Sequence, residues 1–336
     1  MRDGYGRRIE YLRISVTDKC NLRCLYCMPH DIRSLPMKEI LTYEEIAAIA
    51  ETAASLGITR IKITGGEPLV RRDVCRLIGM LKKIPGIKQV TLTTNGVLLK
   101  EHLEGLMAVG IDGINISIDT ADPKRYERIT GSDTLGAVLE GLTEALRYHI
   151  PVRVNAVSLD PAFFAETEAE HDPLKEAAAL IELARERPID VRFIELMPIG
   201  AGKSFPGIPH DVLIPLLLKR FPALARDEKK HGNGPAVYYR MPGYQGSIGF
   251  ISAVHGMFCD SCNRIRLTAQ GYLKSCLCYD TGIDLKEILR SSLPEPEKNR
   301  ALAAGMEKAI LCKPKAHSFA KQENISEKHA MSAIGG

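Results

Sequence analysis

At 336 residues, 45% of them hydrophobic, the chain is long enough for one large domain or two smaller ones with real cores. Its nine cysteines fall far below the roughly 8–10% of a disulfide scaffold, and its +4 charge, 45 basic against 41 acidic residues, excludes the electrostatic footprint of a nucleic-acid binder. Polar, charged residues 1–11 do not read as a signal peptide, and the best apolar run, Ile208 to Leu218, is broken by Pro209, His210, Asp211 and Pro215, so reduced thiols, a cytoplasmic location and no membrane partner are expected.

The first predicted strand, Ile9 to Val16, carries Arg13 and runs into Cys20-Asn21-Leu22-Arg23-Cys24-Leu25-Tyr26-Cys27. Three thiolates so close together can each grip one corner of an iron–sulfur cube and leave the fourth iron open for chemistry. A zinc knuckle is the alternative, with His30 closing the tetrahedron. A helix over Thr42 to Ser55 opens with Thr42-x-x-Glu45, a capping box, and closes at Gly57. The second strand, Ile58 to Thr64, contains Lys62 and ends in Gly65-Gly66-Glu67-Pro68; the glycines admit close approach of a ligand, and Glu67 offers an acceptor for an ammonium. After a helix over Asp73 to Lys83, in which Cys75 reads as a buried small residue, the strand Gln89 to Thr93 ends in Thr93-Thr94-Asn95-Gly96.

A helix over Leu98 to Ala108 leads to the strand Gly113 to Ile118, ending in Ser117-Ile118-Asp119. Next come a helix over Thr134 to Tyr148, the strand Val152 to Ser158 with Arg153 and Asn155, an acidic insertion over Ala165 to Pro173 without chemistry of its own, and a helix over Pro173 to Arg187. The sixth strand, Val191 to Leu196, ends in Glu195-Leu196-Met197-Pro198. Six βα units with right-handed crossovers make an α/β fold, a partial (β/α)6 TIM-like barrel left open, whose working residues gather at the C-terminal strand ends.

Beyond Gly200 glycine and proline become frequent and the strands short, for example Gly246 to Ser252 and Arg264 to Leu267, before a tail helix over Glu297 to Leu311. Residues 1–200 are therefore expected as the barrel domain and 201–336 as a smaller C-terminal domain, hinged near residues 198 to 210. The second part carries Cys259-x-x-Cys262 and Cys276, again three ligands; Cys278 could compete, and Cys312 has no assigned role. Arg13, Arg192, Arg264 and Arg266 sit on apolar, strand-like runs, where a charge is costly unless an anion meets it. Arg264 and Arg266 share a face, because strand side chains repeat every two residues.

The Cys-x-x-x-Cys-x-Tyr-Cys loop, followed one strand later by Gly-Gly-Glu-Pro, resembles the radical SAM superfamily. Phe258 to Thr268, Gly271-Tyr272-Leu273, Cys276-Leu277, Arg192 to Pro198 and the terminal Gly335-Gly336 resemble, within it, the GTP 3′,8-cyclases of molybdenum cofactor biosynthesis, across nearly the whole chain. The resemblance implies two [4Fe-4S] clusters, on Cys20, Cys24 and Cys27 and on Cys259, Cys262 and Cys276, the second on the C-terminal domain and binding guanine. It implies contacts to S-adenosylmethionine (SAM) from Tyr26, Gly66, Ser117 and Met197, and contacts to GTP from Arg13, Lys62, Thr93, Arg153, Arg264 and Arg266. Lys62 stands where many relatives carry arginine. Gly335 and Gly336 are implied as a catalytic tail reaching into the site, a frayed end being the alternative. The implied partners are GTP, an electron donor such as flavodoxin or ferredoxin, and a downstream cyclic pyranopterin monophosphate synthase; a homodimer is left open. Two rival readings remain: a radical SAM peptide maturase with an auxiliary cluster, and a non-catalytic module with two zincs.

Overall fold

A computed structural model describes residues 1–28, 34–165, 172–229 and 231–335. Six parallel strands follow one another as neighbours: β1 (Tyr11–Ser15), β2 (Arg60–Thr64), β3 (Gln89–Thr94), β4 (Ile114–Ser117), β5 (Val152–Val157) and β6 (Asp190–Ile194). Helices α1 (Tyr43–Ser55), α2 (Val74–Lys82), α3 (Leu99–Ala108), α4 (Pro123–Thr130), α5 (Leu135–Leu146) and α6 (Pro173–Glu182) lie between them in the chain. The architecture is the expected partial (β/α)6 barrel. In the capping box of α1, Glu45 N–H donates to Thr42 Oγ1 at 3.1 Å and Thr42 N–H to Glu45 Oε2 at 2.7 Å. Helix α4 was absent from the sequence reading, although Asp122 caps it, Pro123 opens it and Gly131 closes it at φ +71°.

Alternation along the strands divides core from cavity. Val152, Val154 and Ala156 of β5 are buried, while Arg153, Asn155 and Val157 are partly accessible and line the interior. Leu12 and Ile14 of β1 and Ile61 and Ile63 of β2 are wholly buried with residues of the helices in one hydrophobic core. Each such isoleucine or leucine contributes about 1.5–3 kcal/mol. The opposite parity, which includes Arg13 and Lys62, faces inward.

The remaining strands are β7 (Ala225–Asp227), β8 (Val237–Arg240), β9 (Ser247–Ile251), β10 (Arg264–Leu267), β11 (Tyr272–Lys274) and β12 (Gly282–Asp284). Among the described residues all twelve strands form one sheet in the order β12-β11-β10-β1-β2-β3-β4-β5-β6-β9-β8-β7. Strand β10 pairs in parallel with β1, and β9 in parallel with β6. The segment after residue 200 thus covers both edges of the six-stranded unit, whose backbone groups would otherwise stand open. The sheet and the main core run across the expected boundary at residue 200. Helix α7 (His210–Arg220) was hidden in the sequence by its internal Pro215, while α8 (Leu285–Leu289) and α9 (Glu295–Leu311) close the C-terminal part.

Candidate active site

The loop bearing Cys20, Cys24 and Cys27 leaves the C-terminal end of β1, whereas Cys259 and Cys262 lie just before β10, which is parallel to β1. Cys276 follows β11, antiparallel to β10, and so returns to that same end. Along β1, from Tyr11 to Ser15, the strand spans about 13 Å at ~3.3 Å per residue. Two cysteine trios therefore stand beyond opposite ends of one strand pair, and all six residues line a single cavity of about 390 Å³.

Contacts within the chain already require glycine at positions 65 and 66, both of which line the cavity. A Cβ on Gly65 would stand 2.8 Å from Thr17 O, and one on Gly66 would run into the Lys19 carbonyl. Gly66 N–H donates to Thr17 O and Glu67 N–H to Lys19 O, each at 2.7 Å, which stitches this turn to the chain entering the first cysteine loop. Glu67 accepts from Leu69 N–H at 3.0 Å and, at the β3 end, from Thr94 Oγ1 at 2.7 Å and Asn95 N–H at 2.6 Å, so it ties the turn to β3. Burial raises its pKa to about 7 against the pull of those bonds. Asn95 also points Nδ2 at Cys20 Sγ, 3.7 Å away.

Tyr26 donates to Asp119 Oδ2 at 2.6 Å, and Asp119 Oδ1 accepts from Val157 N–H at 2.8 Å, so the cysteine loop is pinned across β4 and β5. Ser117 and Met197 line the cavity, Met197 also packing on a second, smaller apolar cluster. Cys278 belongs to that cluster, fully buried, and is not among the cavity-lining residues. Cys75 is half-buried against the core and Cys312 is exposed. His30, Gly336 and most of the 165–173 insertion lie outside the described residues.

Between the trios runs a row of cations. Arg266, Arg13 and Lys62 stand directly opposite one another on β10, β1 and β2. Thr93, Arg153, Arg192 and Arg264 line the same cavity. Arg153 pairs with Asp190 at 3.1 Å, and Arg192 donates to Asn155 Oδ1 at 2.9 and 2.6 Å. Arg264 lies over the Phe258 ring at 5.3 Å. Lys62 has neither hydrogen bond nor ion pair among the described residues. Burial, then the charges of Arg192, Arg13, Arg153 and Arg264, hold its pKa well below the ordinary lysine value. Burial and the neighbouring arginines likewise lower Arg266. So many desolvated cations in one cavity create a field that favours a polyanion.

The tail enters this cavity region. Gly335 is buried at φ +73°, and its carbonyl accepts from Arg266 Nη1 at 2.7 Å. Arg192, set among strand arginines that call for an anion, and Asn95 and Asp119, placed at strand ends, carry no SAM or GTP contact by the resemblance; the structure puts all three on the cavity wall.

The thiols fit a cluster better than a lone ion. Among the described residues only Asp280, Glu327 and His329 bring three ligand atoms within 4.8 Å of one another, so neither cysteine trio closes around one metal. Single-ion zinc with bonds of ~2.3 Å needs tighter spacing. Burial raises Cys24, and pushes Cys27 up to about 12, so thiolates there need a metal-borne positive charge. Burial also raises Cys262, but Lys313 and Arg264 overcome it and leave that thiol lowered.

Residues 14–178 match the family model of the Radical SAM superfamily, and residues 189–319 match Molybdenum Cofactor Synthesis C. The chain is 40% identical over 337 residues to a GTP 3′,8-cyclase of Clostridium perfringens, covering the whole of both. It is 41% identical over 338 residues to one of Alkaliphilus oremlandii, again complete on both sides. Among solved structures, Streptococcus suis SuiB bound to S-adenosylmethionine shares the fold with a TM-score of 0.62 at 14% identity, covering 96% of this chain and 76% of that one. Native anSMEcpe with bound AdoMet gives 0.55 at 17% identity, covering 87% and 82%. Full-length similarity of this order, over a barrel whose cavity joins two cysteine trios to a row of cations, places the chain in the GTP 3′,8-cyclase family.

Proposed function

We propose that this protein is a radical SAM lyase of molybdenum cofactor biosynthesis that converts GTP to 3′,8-cyclo-7,8-dihydro-GTP. The observation that carries the reading is one cavity lined by both trios, with Arg266, Arg13 and Lys62 in register between them. Cys20, Cys24 and Cys27 would hold a [4Fe-4S] cluster which, together with SAM, would supply the one-electron chemistry needed to take the hydrogen from ribose C3′.

The residues of this chain hold and orient. Tyr26, Gly66, Ser117 and Met197 shape the SAM end, with Gly66 acting through the cysteine-loop backbone and Tyr26 through Asp119. Arg13, Lys62, Arg153, Arg264 and Arg266, joined by Arg192, neutralise the triphosphate, and Thr93 adds a hydroxyl beside Asn115 Nδ2 at 3.4 Å. Cys259, Cys262 and Cys276 would hold a second [4Fe-4S] cluster, at the end of the cavity where the guanine base would sit. Gripped at base and phosphates, the nucleotide presents C3′ and C8 to each other; both atoms belong to one molecule, so the site supplies orientation rather than encounter. The Gly335-Gly336 tail orders the reacting end through Arg266. An electron donor of the flavodoxin or ferredoxin kind, a cyclic pyranopterin monophosphate synthase as consumer of the product, and a cytoplasmic setting complete the reading. The full-length likeness to cyclases and the cation row favour a nucleotide over the peptide of a maturase.

Anaerobic incubation of the reconstituted protein with GTP, SAM and reductant, followed by mass analysis, tests this. A nucleotide isomeric with GTP and 5′-deoxyadenosine should form together; SAM cleavage unaffected by GTP, with no nucleotide product, would refute the assignment.

A further inference from the structure

Outside the cysteine motifs, residues 313–317, just after α9, form a further wall of the second trio. Lys313 is 3% exposed, and its ammonium donates to Arg264 O at 3.0 Å and to Ser275 O at 2.5 Å. Lys313 and Cys262 line the same cavity. Arg264 stands two residues after Cys262 and Ser275 one before Cys276, so one side chain ties together the segments that deliver those two cysteines. Across from it, buried Arg7 donates to Cys259 O at 2.9 Å, Lys315 O at 2.8 Å and Pro314 O at 2.6 Å, while the His317 amide donates to Cys259 Sγ at 3.4 Å. Arg7 has its counter-ion in Asp3, at 2.5 Å. Lys313 has no carboxylate within 4.0 Å among the described residues.

A buried ammonium held by carbonyl dipoles alone is costly, and breaking its only charge partner is costlier. The anion available to Lys313 is the thiolate set itself. A cube held by three thiolates carries net negative charge, which rises on reduction; a fixed cation and N–H···S donors stabilise the reduced form and move the potential upward. We propose that Lys313 is a positioning and charge-setting residue of the second trio, fixing the Cys262 and Cys276 segments and raising the reduction potential of the cluster they hold. This rests on the two-cluster reading above.

The test uses the full chain in a background where Cys20, Cys24 and Cys27 are alanine, so that bound iron reports the second site. Iron content and the midpoint potential, followed by electron paramagnetic resonance, are measured for the Lys313 parent, Lys313→Gln and Lys313→Arg. The expected result is a more negative midpoint in Lys313→Gln at equal iron, with Lys313→Arg near the parent. Equal potentials at equal iron in all three would overturn the proposal. Should Lys313→Gln lose iron, retention of iron and potential in Lys313→Arg supports it, and loss in both variants counts against a role of charge. A parent without iron would instead remove the two-cluster reading, and the proposal with it.

Discussion

Gly335 gives its carbonyl oxygen to Arg266 Nη1 at 2.7 Å, which sets the tail inside the barrel, on the strand that leads from the second cysteine trio. Arg266 stands opposite Arg13, itself opposite Lys62, so the tail meets the β10 end of the cation row. The left-handed backbone at Gly335, and a space in which a Cβ would lie 3.0 Å from Thr64 Oγ1, explain why a glycine occupies the position.

Removal of Gly335 and Gly336 should leave iron content unchanged and lower product formation at least tenfold. Gly335→Ala should give a partial loss, since a non-glycine in this conformation costs about 1–2 kcal/mol. Product per chain by mass spectrometry, at matched iron, is the measurement; a fully active truncation would reduce the tail to fraying.

The two trios should separate in their effects. Cys24→Ala is expected to abolish 5′-deoxyadenosine formation, whereas Cys262→Ala should retain some SAM cleavage and yield no cyclised nucleotide. Chromatography of 5′-deoxyadenosine and nucleotide from the same reaction reads both outcomes.

Gly66→Ala should act on the first cysteine loop rather than on SAM directly. The added methyl collides with the Lys19 carbonyl and displaces the bonds from Gly66 to Thr17 and from Glu67 to Lys19. Expected are loss of iron from the first site and a lower melting temperature, with iron at the second site kept; unaltered iron with weaker SAM binding would restore the direct-contact view.

Much of this was legible in the chain, for identifiable reasons. The six barrel strands and the first cysteine loop are local patterns, alternation and spacing, and the structure keeps them. Pairing of β10 with β1 and of β9 with β6 was not legible, because it joins residues some 250 and 60 positions apart with no local signature. At Gly65-Gly66 the sequence suggests close approach of a ligand, but not the close approach of the Thr17 to Lys19 backbone, which only the fold brings there. Lys313 is an ordinary lysine in sequence, and only the fold brings it to Cys262.

Lys62 should make nucleotide binding depend on pH. Its folded pKa is lowered, first by burial and then by four arginines, so between that value and the unfolded 10.5 the unfolded chain binds more protons and stability without nucleotide rises with pH. Below that window the cost of the buried charge is fully present. A bound triphosphate offsets both causes with opposite charge and raises the Lys62 pKa, so GTP binding should take up protons and weaken as pH rises through the window. Calorimetry in buffers of different ionisation enthalpy should show this uptake and its reduction in Lys62→Met, with affinity down at least tenfold; equal uptake in both proteins would contradict it.

The most direct test of one cavity serving both SAM and nucleotide is hydrogen transfer from GTP deuterated at ribose C3′. The account predicts deuterium in the 5′-deoxyadenosine and its loss from the cyclised product. Unlabelled 5′-deoxyadenosine formed alongside a nucleotide that keeps its deuterium would contradict it.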